Sequence, residues 1–181
     1  MNIGVISMRY AKAMLAFAME HGAESEIYGN MLQLCNTFQT VRQLPVVLCN
    51  PSLSQDERVA LICDAVDASP LFLRFAQLVV KEEREEMLPF IARSYIMLYR
   101  EAKKILAVDL TTAVPVDDAL KDKVSAMLGE DYNEVELNNI VEPSIIGGFV
   151  IEAGSRRLDA SVRRQLSDIR KQLVKQNRKI V

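Results

Sequence analysis

His21 is the single histidine in 181 residues, and a lone imidazole is the first place to look for acid–base or metal chemistry. It stands beside Gly22, where a helix is expected to stop, and no second histidine or cysteine is spaced to join it as a ligand. Its predicted role is structural, bonding the last carbonyls of that helix. The run Lys81-Glu82-Glu83-Arg84-Glu85-Glu86 holds carboxylates close enough for an acid/base pair, but a charge run at a helix junction reads as a solvated surface. Cys35, Cys49 and Cys63 stand 14 positions apart among helix-forming residues, without a Cys-x-x-Cys pair. They are expected as buried, reduced helix cysteines and not as a zinc set. Gly147, Gly148 and Gly154 permit close backbone approach, yet Gly-x-Gly-x-x-Gly is absent and no Gly-Lys-Ser/Thr follows. Neither catalysis, nor a metal, nor a cofactor is expected.

The strongest constellation is Pro143 to Leu173, where paired glycines precede a strand from Phe149 to Ala153, a Gly154-Ser155 turn and a second strand from Arg156 to Leu158. Asp159 or Ser161 can cap the helix that follows. Its spacing puts Val162, Leu166, Ile169 and Leu173 on one face and Arg163, Arg164, Arg170, Lys171 and Lys175 on the other. Five cations on one helix can clamp phosphates, so an RNA- or DNA-binding adaptor is the alternative function. The stretch has no aromatic residue beyond Phe149 to stack on bases, and an acidic or mixed-charge protein helix would use the same cations. From Ala153 to Val181 nine Lys/Arg oppose Asp159 and Asp168, a net of +7, whereas residues 1 to 152 hold 13 basic and 22 acidic groups, a net of −9. Two ends so different in charge should attract different partners.

These residues need a scaffold, and half the chain is apolar, enough for one ordinary core or two small ones. The opening MNIGVISMRYAKAML has neither signal- nor transit-peptide character, and no apolar run approaches the roughly 20 residues that span a bilayer. The chain is expected to stay where it is made. Helices are predicted over Met8 to Glu20, ended by His21-Gly22, and over Ser25 to Arg42, with Ile27, Met31, Leu34 and Phe38 inward and Pro45 marking the end. Ser54 and Glu57 fit a capping box before a helix bearing Val59, Ile62 and Val66. Ser69-Pro70 opens a short apolar helix through Val80, and the next presents Leu88, Ile91, Tyr95, Leu98 and Ala102. After Lys103-Lys104 the period changes to two: Val108, Leu110, Thr112 and Val114 predict a strand closed by Pro115. Asp117 can cap a helix through Leu120, Val124, Met127 and Leu128 up to Gly129, and Val135 and Leu137 suggest another strand. The expected class is mixed α and α/β: a six-helix bundle over residues 1–104, then a small α+β domain over 105–181. The first helix also gathers Ala11, Ala13, Ala16 and Ala18 with Met14, Met19 and Phe17, a set suited to a helix-in-groove contact.

Across nearly its whole length the sequence resembles the delta subunit of bacterial F-type ATP synthase, the oligomycin sensitivity conferral protein family. Arg9-Tyr10-Ala11-Lys12-Ala13 is similar to the family's opening helix, Asn50-Pro51 with Ser54 to Ile62 to its mid-bundle element, and Leu110 to Val116 to the strand opening its C-terminal domain. Pro143 to Leu173 carries the most specific match. Ser155 replaces a usual acidic residue and Ala160 a usual glycine. The resemblance implies a non-catalytic joint of the peripheral stalk in a proton-translocating synthase. It would hold the alpha/beta head still while the rotor turns, on the cytoplasmic face of the bacterial inner membrane and bound there only through the complex. The implied partners are the N-terminal segments of alpha subunits and the b-subunit stalk, with no nucleic acid and no cofactor. Candidate alpha contacts are Tyr10, Ala11, Met14, Phe17, Arg74 and Leu78. Candidate b contacts are Phe149, Ile151, Arg163, Arg164 and Arg170.

Overall fold

The computed structural model describes residues 3–117, 123, 127 and 131–177, and the chain divides into two compact units, Met1–Ala102 and Lys103–Val181. Helices and one mixed sheet place it in the mixed α+β class.

The first unit holds α1 (Ile3–Glu20), α2 (Glu24–Thr40), α3 (Leu44–Leu48), α4 (Gln55–Asp64), α5 (Pro70–Lys81) and α6 (Leu88–Lys103), with a 3-10 turn at Glu85–Met87. Local signals explain most of the boundaries. Gly22, at φ 63°, closes α1, the Ala23 amide donates to the Ala18 carbonyl at 2.9 Å, and His21 bonds the Phe17 carbonyl through Nδ1 at 2.8 Å. The sole histidine is thus engaged in a helix end, as its neighbours suggested. α1 starts at Ile3, five residues before the expected Met8. Ser54 and Glu57 form both halves of the capping box at α4, and the Ser69 hydroxyl accepts from the Phe72 amide at 3.2 Å ahead of Pro70. Pro45 does not terminate α2, which ends at Thr40; it sits in the first turn of α3, where its missing amide costs nothing.

The core of this unit gathers Ile27, Met31 and Leu34 from α2, Ile62 from α4, Phe72 and Val79 from α5, and Leu88, Ile91 and Tyr95 from α6, all fully buried. Beyond Tyr95 the buried stripe of α6 continues through Ile96 and Tyr99; the expected Leu98 is half-buried and Ala102 exposed. Tyr99 stacks on Tyr28 at 4.3 Å and Arg100 donates to the Tyr28 hydroxyl at 2.9 Å, which turns that face of α6 toward α2.

The structure departs from two expectations about chemistry-bearing residues. Glu85 is only 6% exposed and meets the Arg58 guanidinium at 2.8 Å, so the acidic run is not uniformly solvated. Glu83, at φ 54°, reverses the chain after α5, and the Arg84 amide returns to the Val79 carbonyl, which turns Glu85 inward. The cysteines are free thiols but not buried: Cys35 and Cys63 are half-buried, and Cys49 is exposed just past α3, outside any helix. Desolvation pushes all three thiols above their ordinary pKa, and neighbouring carboxylates push Cys49 and Cys63 further up, so none is set up as a thiolate.

The second unit is a four-stranded sheet of β1 (Ile105–Thr112), β2 (Glu134–Val141), β3 (Phe149–Ala153) and β4 (Arg156–Asp159) in the order β2-β1-β3-β4, with a terminal helix α7 (Val162–Asn177). β1 runs parallel to β2 and antiparallel to β3, and β3 is antiparallel to β4. Central β1 supplies the buried Val108 and Leu110. Val114, expected in this strand, lies beyond it and is exposed; the Thr112 hydroxyl donates to the Val114 carbonyl at 2.7 Å and bends the chain there. Of the helix expected from Asp117 to Leu128, Lys123 and Met127 are helical; Leu120, Val124, Leu128 and the stop at Gly129 lie outside the described residues.

Register assigns the faces of the sheet. Leu110 pairs with Ile151 and Ile151 with Leu158, while Thr112 pairs with Phe149, so these five side chains share one face. Thr111, Val150 and Asp159 occupy the other. A tight junction leads from β4 into α7. The Ala160 amide donates to the Phe149 carbonyl and the Val162 amide to the Gly147 carbonyl, both at 2.9 Å. Asp159 accepts from the Ser161 amide and hydroxyl, and Ser161 in turn caps α7 by accepting from the Arg164 amide at 3.2 Å.

Candidate functional site

Tyr10, Ala13, Met14 and Phe17 stand at i, i+3, i+4 and i+7 on α1, and Leu71, Arg74, Phe75 and Leu78 repeat that spacing on α5. The eight residues line one cleft of about 270 Å³, in which Arg74 is the only charged member. Each wall is two turns long, about 10 Å at 1.5 Å per residue. Two stripes of this period present a surface onto which a third helix can lay its own i, i+3, i+4, i+7 stripe. Met14 and Phe75 are nearly buried and form floor as much as lining, whereas Leu78 is 48% exposed and Ala13 and Arg74 are open to solvent. The Ser69 cap and Pro70 fix where α5 begins, and with it the position of Leu71 and Arg74.

Five of the six residues expected at the alpha contact, Tyr10, Met14, Phe17, Arg74 and Leu78, are brought together here. The sixth is a correction: Ala11 has no exposed surface and belongs to the inner face of α1 with Leu15 and Ala18, where a small side chain lets the helix pack closely. Leu71 and Phe75 are absent from the sequence expectations, and Ala13 stands in the helix-in-groove set of the first helix but not among the six alpha contacts. Extending the helical period from Tyr10 and from Leu78 would have found all three.

In the second unit the expected contact set is split. Phe149, 39% exposed, and the half-buried Ile151 lie on the face that carries the exposed Leu158, and a cleft of about 630 Å³ there is lined by Leu106, Ile151, Ala153 and Leu158 among others. Arg163 and Arg164 instead line a cleft of about 430 Å³ with Ile145 and Val150, on the opposite face. Strand alternation separates residue 150 from 151, so hairpin and basic helix do not form one site. Arg170 is exposed on α7 and lines neither cleft. Arg164 reaches Asp159 and Asp168 only at 3.8 and 4.0 Å, and Arg163 reaches the Ser144 hydroxyl at 3.5 Å. Such exposed pairs hold their cations loosely and leave them available. The apolar stripe of α7 is uncovered too, with Leu166 at 52% and Ile169 at 53% exposure; the Leu173 side chain lies outside the described residues.

The chain thus joins a helical unit with an open apolar groove to a sheet unit with an amphipathic basic helix. Residues 6–173 match the family model for the ATP synthase delta (OSCP) subunit, and the chain belongs to that family. It is 43% identical to ATP synthase subunit delta of Bacteroides fragilis and 41% identical to that of Bacteroides thetaiotaomicron, in each case over the full length of both proteins. Its fold is shared by a chain of the Toxoplasma gondii mitochondrial ATP synthase hexamer solved by cryo-electron microscopy, at TM-score 0.67 and 20% identity over 93% of this chain and 97% of that one. The protein is therefore a non-catalytic peripheral-stalk subunit of an ATP synthase, a peripheral component of a membrane-associated complex. Among the described residues no helix is long and apolar enough to cross a membrane. The nucleic-acid adaptor reading gives way to this assignment.

Proposed function

We propose that the protein is the joint between the catalytic head and the stalk, with one docking surface in each unit. The six helices of the first unit act as one bundle that holds the N-terminal segment of an alpha subunit in the α1/α5 groove. The second unit binds the end of the b-subunit stalk through α7, with Arg163, Arg164 and Arg170, and through the hairpin bearing Phe149 and Ile151. The complex sits on the cytoplasmic face of the bacterial inner membrane. Holding the head against rotation requires two separate grips, one on the part that must not turn and one on the fixed stalk. The observation that carries this reading is the pair of matched stripes lining the groove.

The experiment is a calorimetric titration of the full chain with a peptide of the first 25 or so residues of its alpha subunit. Leu78→Asp and Ala13→Asp alter exposed wall positions, so each variant is expected to fold normally and to bind at least about tenfold more weakly, the scale of a lost apolar anchor. Binding equal to wild type in both variants would remove the groove from the alpha contact. Met14→Asp is a poorer probe, because Met14 is 4% exposed and a carboxylate there would unfold the bundle.

A further inference from the structure

Arg74 is the one charged residue in a groove otherwise walled by apolar and aromatic side chains. It stands mid-wall on α5, three residues after Leu71 and four before Leu78, with Phe75 beside it. Two arginines of this unit have side-chain partners among the described residues, Arg58 in Glu85 and Arg100 in the Tyr28 hydroxyl; Arg74 shares its lack of one with Arg9, Arg42, Arg84 and Arg93, and differs from them in lining the groove. Arg74 forms no hydrogen bond or ion pair with any described residue, although residues 1–102 hold twelve acidic groups against nine basic ones. While the groove is open, water solvates this guanidinium. An apolar helix lying along the groove would displace that water, and an unpartnered charge at such an edge opposes docking.

We propose that Arg74 reads a carboxylate on the docked segment, so that the groove selects an amphipathic helix carrying an Asp or Glu within one turn of its central apolar anchor. The inference rests on the helix-docking reading of the groove and adds a charge requirement to it. The planar guanidinium can grip a carboxylate through two parallel hydrogen bonds, which fixes the axial register of the docked helix as well as its identity. An apolar segment with a neutral or basic residue at that level is rejected, because Arg74 is then desolvated without compensation.

The test uses the full chain and the N-terminal peptide of its alpha subunit, with each acidic residue of the peptide changed in turn to Lys. Arg74→Glu is exposed and is expected to leave the circular dichroism spectrum and melting temperature unchanged. It should weaken the unmodified peptide at least about tenfold, and one of the Lys peptides, poor with wild type, should regain that factor with Arg74→Glu. Arg74→Met, which keeps an apolar stem, should bind with a flatter salt dependence than wild type. Equal affinity of wild type and Arg74→Glu for the unmodified peptide, or the absence of any restoring charge swap, overturns the role of Arg74 while leaving helix docking intact. Failure of the unmodified peptide to bind the wild-type chain overturns the docking reading and this inference with it.

Discussion

Gly148 holds the junction on which the second unit's basic cleft depends. Its φ of 74° lies in the left-handed region, and a Cβ there would press into the backbone carbonyl of Ala160, which cannot rotate away. Gly148→Ala is expected to cost roughly 2–3 kcal/mol from strain alone, read as a lower denaturant midpoint for the sheet unit; a midpoint equal to wild type would show that the junction yields. Gly154, at φ 58° in the hairpin turn, has open space around it and depends only on its backbone angle. Both glycines are visible in the sequence, but only the structure separates the one fixed by a neighbour from the one fixed by a turn. Glu85 teaches the same lesson. In the sequence it is one of four acids in a row of six charges; in the fold it is the one that meets Arg58.

Helix α5 is legible almost entirely from local chemistry: Ser69 caps it, Pro70 opens it, and its apolar residues recur with the helical period. Its outer stripe, not its inner one, makes the groove. Ser69 is 4% exposed and spends its hydroxyl on the Phe72 amide, so Ser69→Ala should cost about 1 kcal/mol. Faster hydrogen exchange is expected in the first turn of α5, with weaker peptide binding in proportion, while exchange in the middle of α6 stays unchanged. Equal acceleration of exchange across both helices would indicate a global effect instead. Helix α7 is the opposite case. Its amphipathic pattern predicts a buried apolar face, yet Leu166 and Ile169 are both more than half exposed. Periodicity states which residues share a face and is silent about what covers it.

At the scale of the molecule, each unit carries a capping carboxylate held below its ordinary pKa. The Ser54 amide and hydroxyl stabilise ionised Glu57 in the first unit, and the Ser161 hydroxyl and amide stabilise ionised Asp159 in the second. A depressed pKa adds stability that is present above the unfolded value, near pH 4, and is lost as pH falls through the lower folded value. Melting temperature should hold from pH 7 to about 5 and then decline below about 4 in both units. Asp159→Asn should flatten that acid limb in the second unit alone, and an unchanged limb there would assign the acid sensitivity to other groups.

The sequence alone determined the helix starts at Ser54 and Ser69, the stop at Gly22, the strand–turn–strand run to Leu158 and the family, because caps, turns and periods act over a few residues along the chain. It also singled out five side chains of the groove. Only the tertiary structure decided that Ala11 faces inward while Ala13 faces out, that Glu85 is buried against Arg58, and that Ile151 and Arg163 lie on opposite sides of the sheet. Those outcomes depend on which faces meet across tens of residues, and the pairing of faces is set by packing that no local spacing encodes.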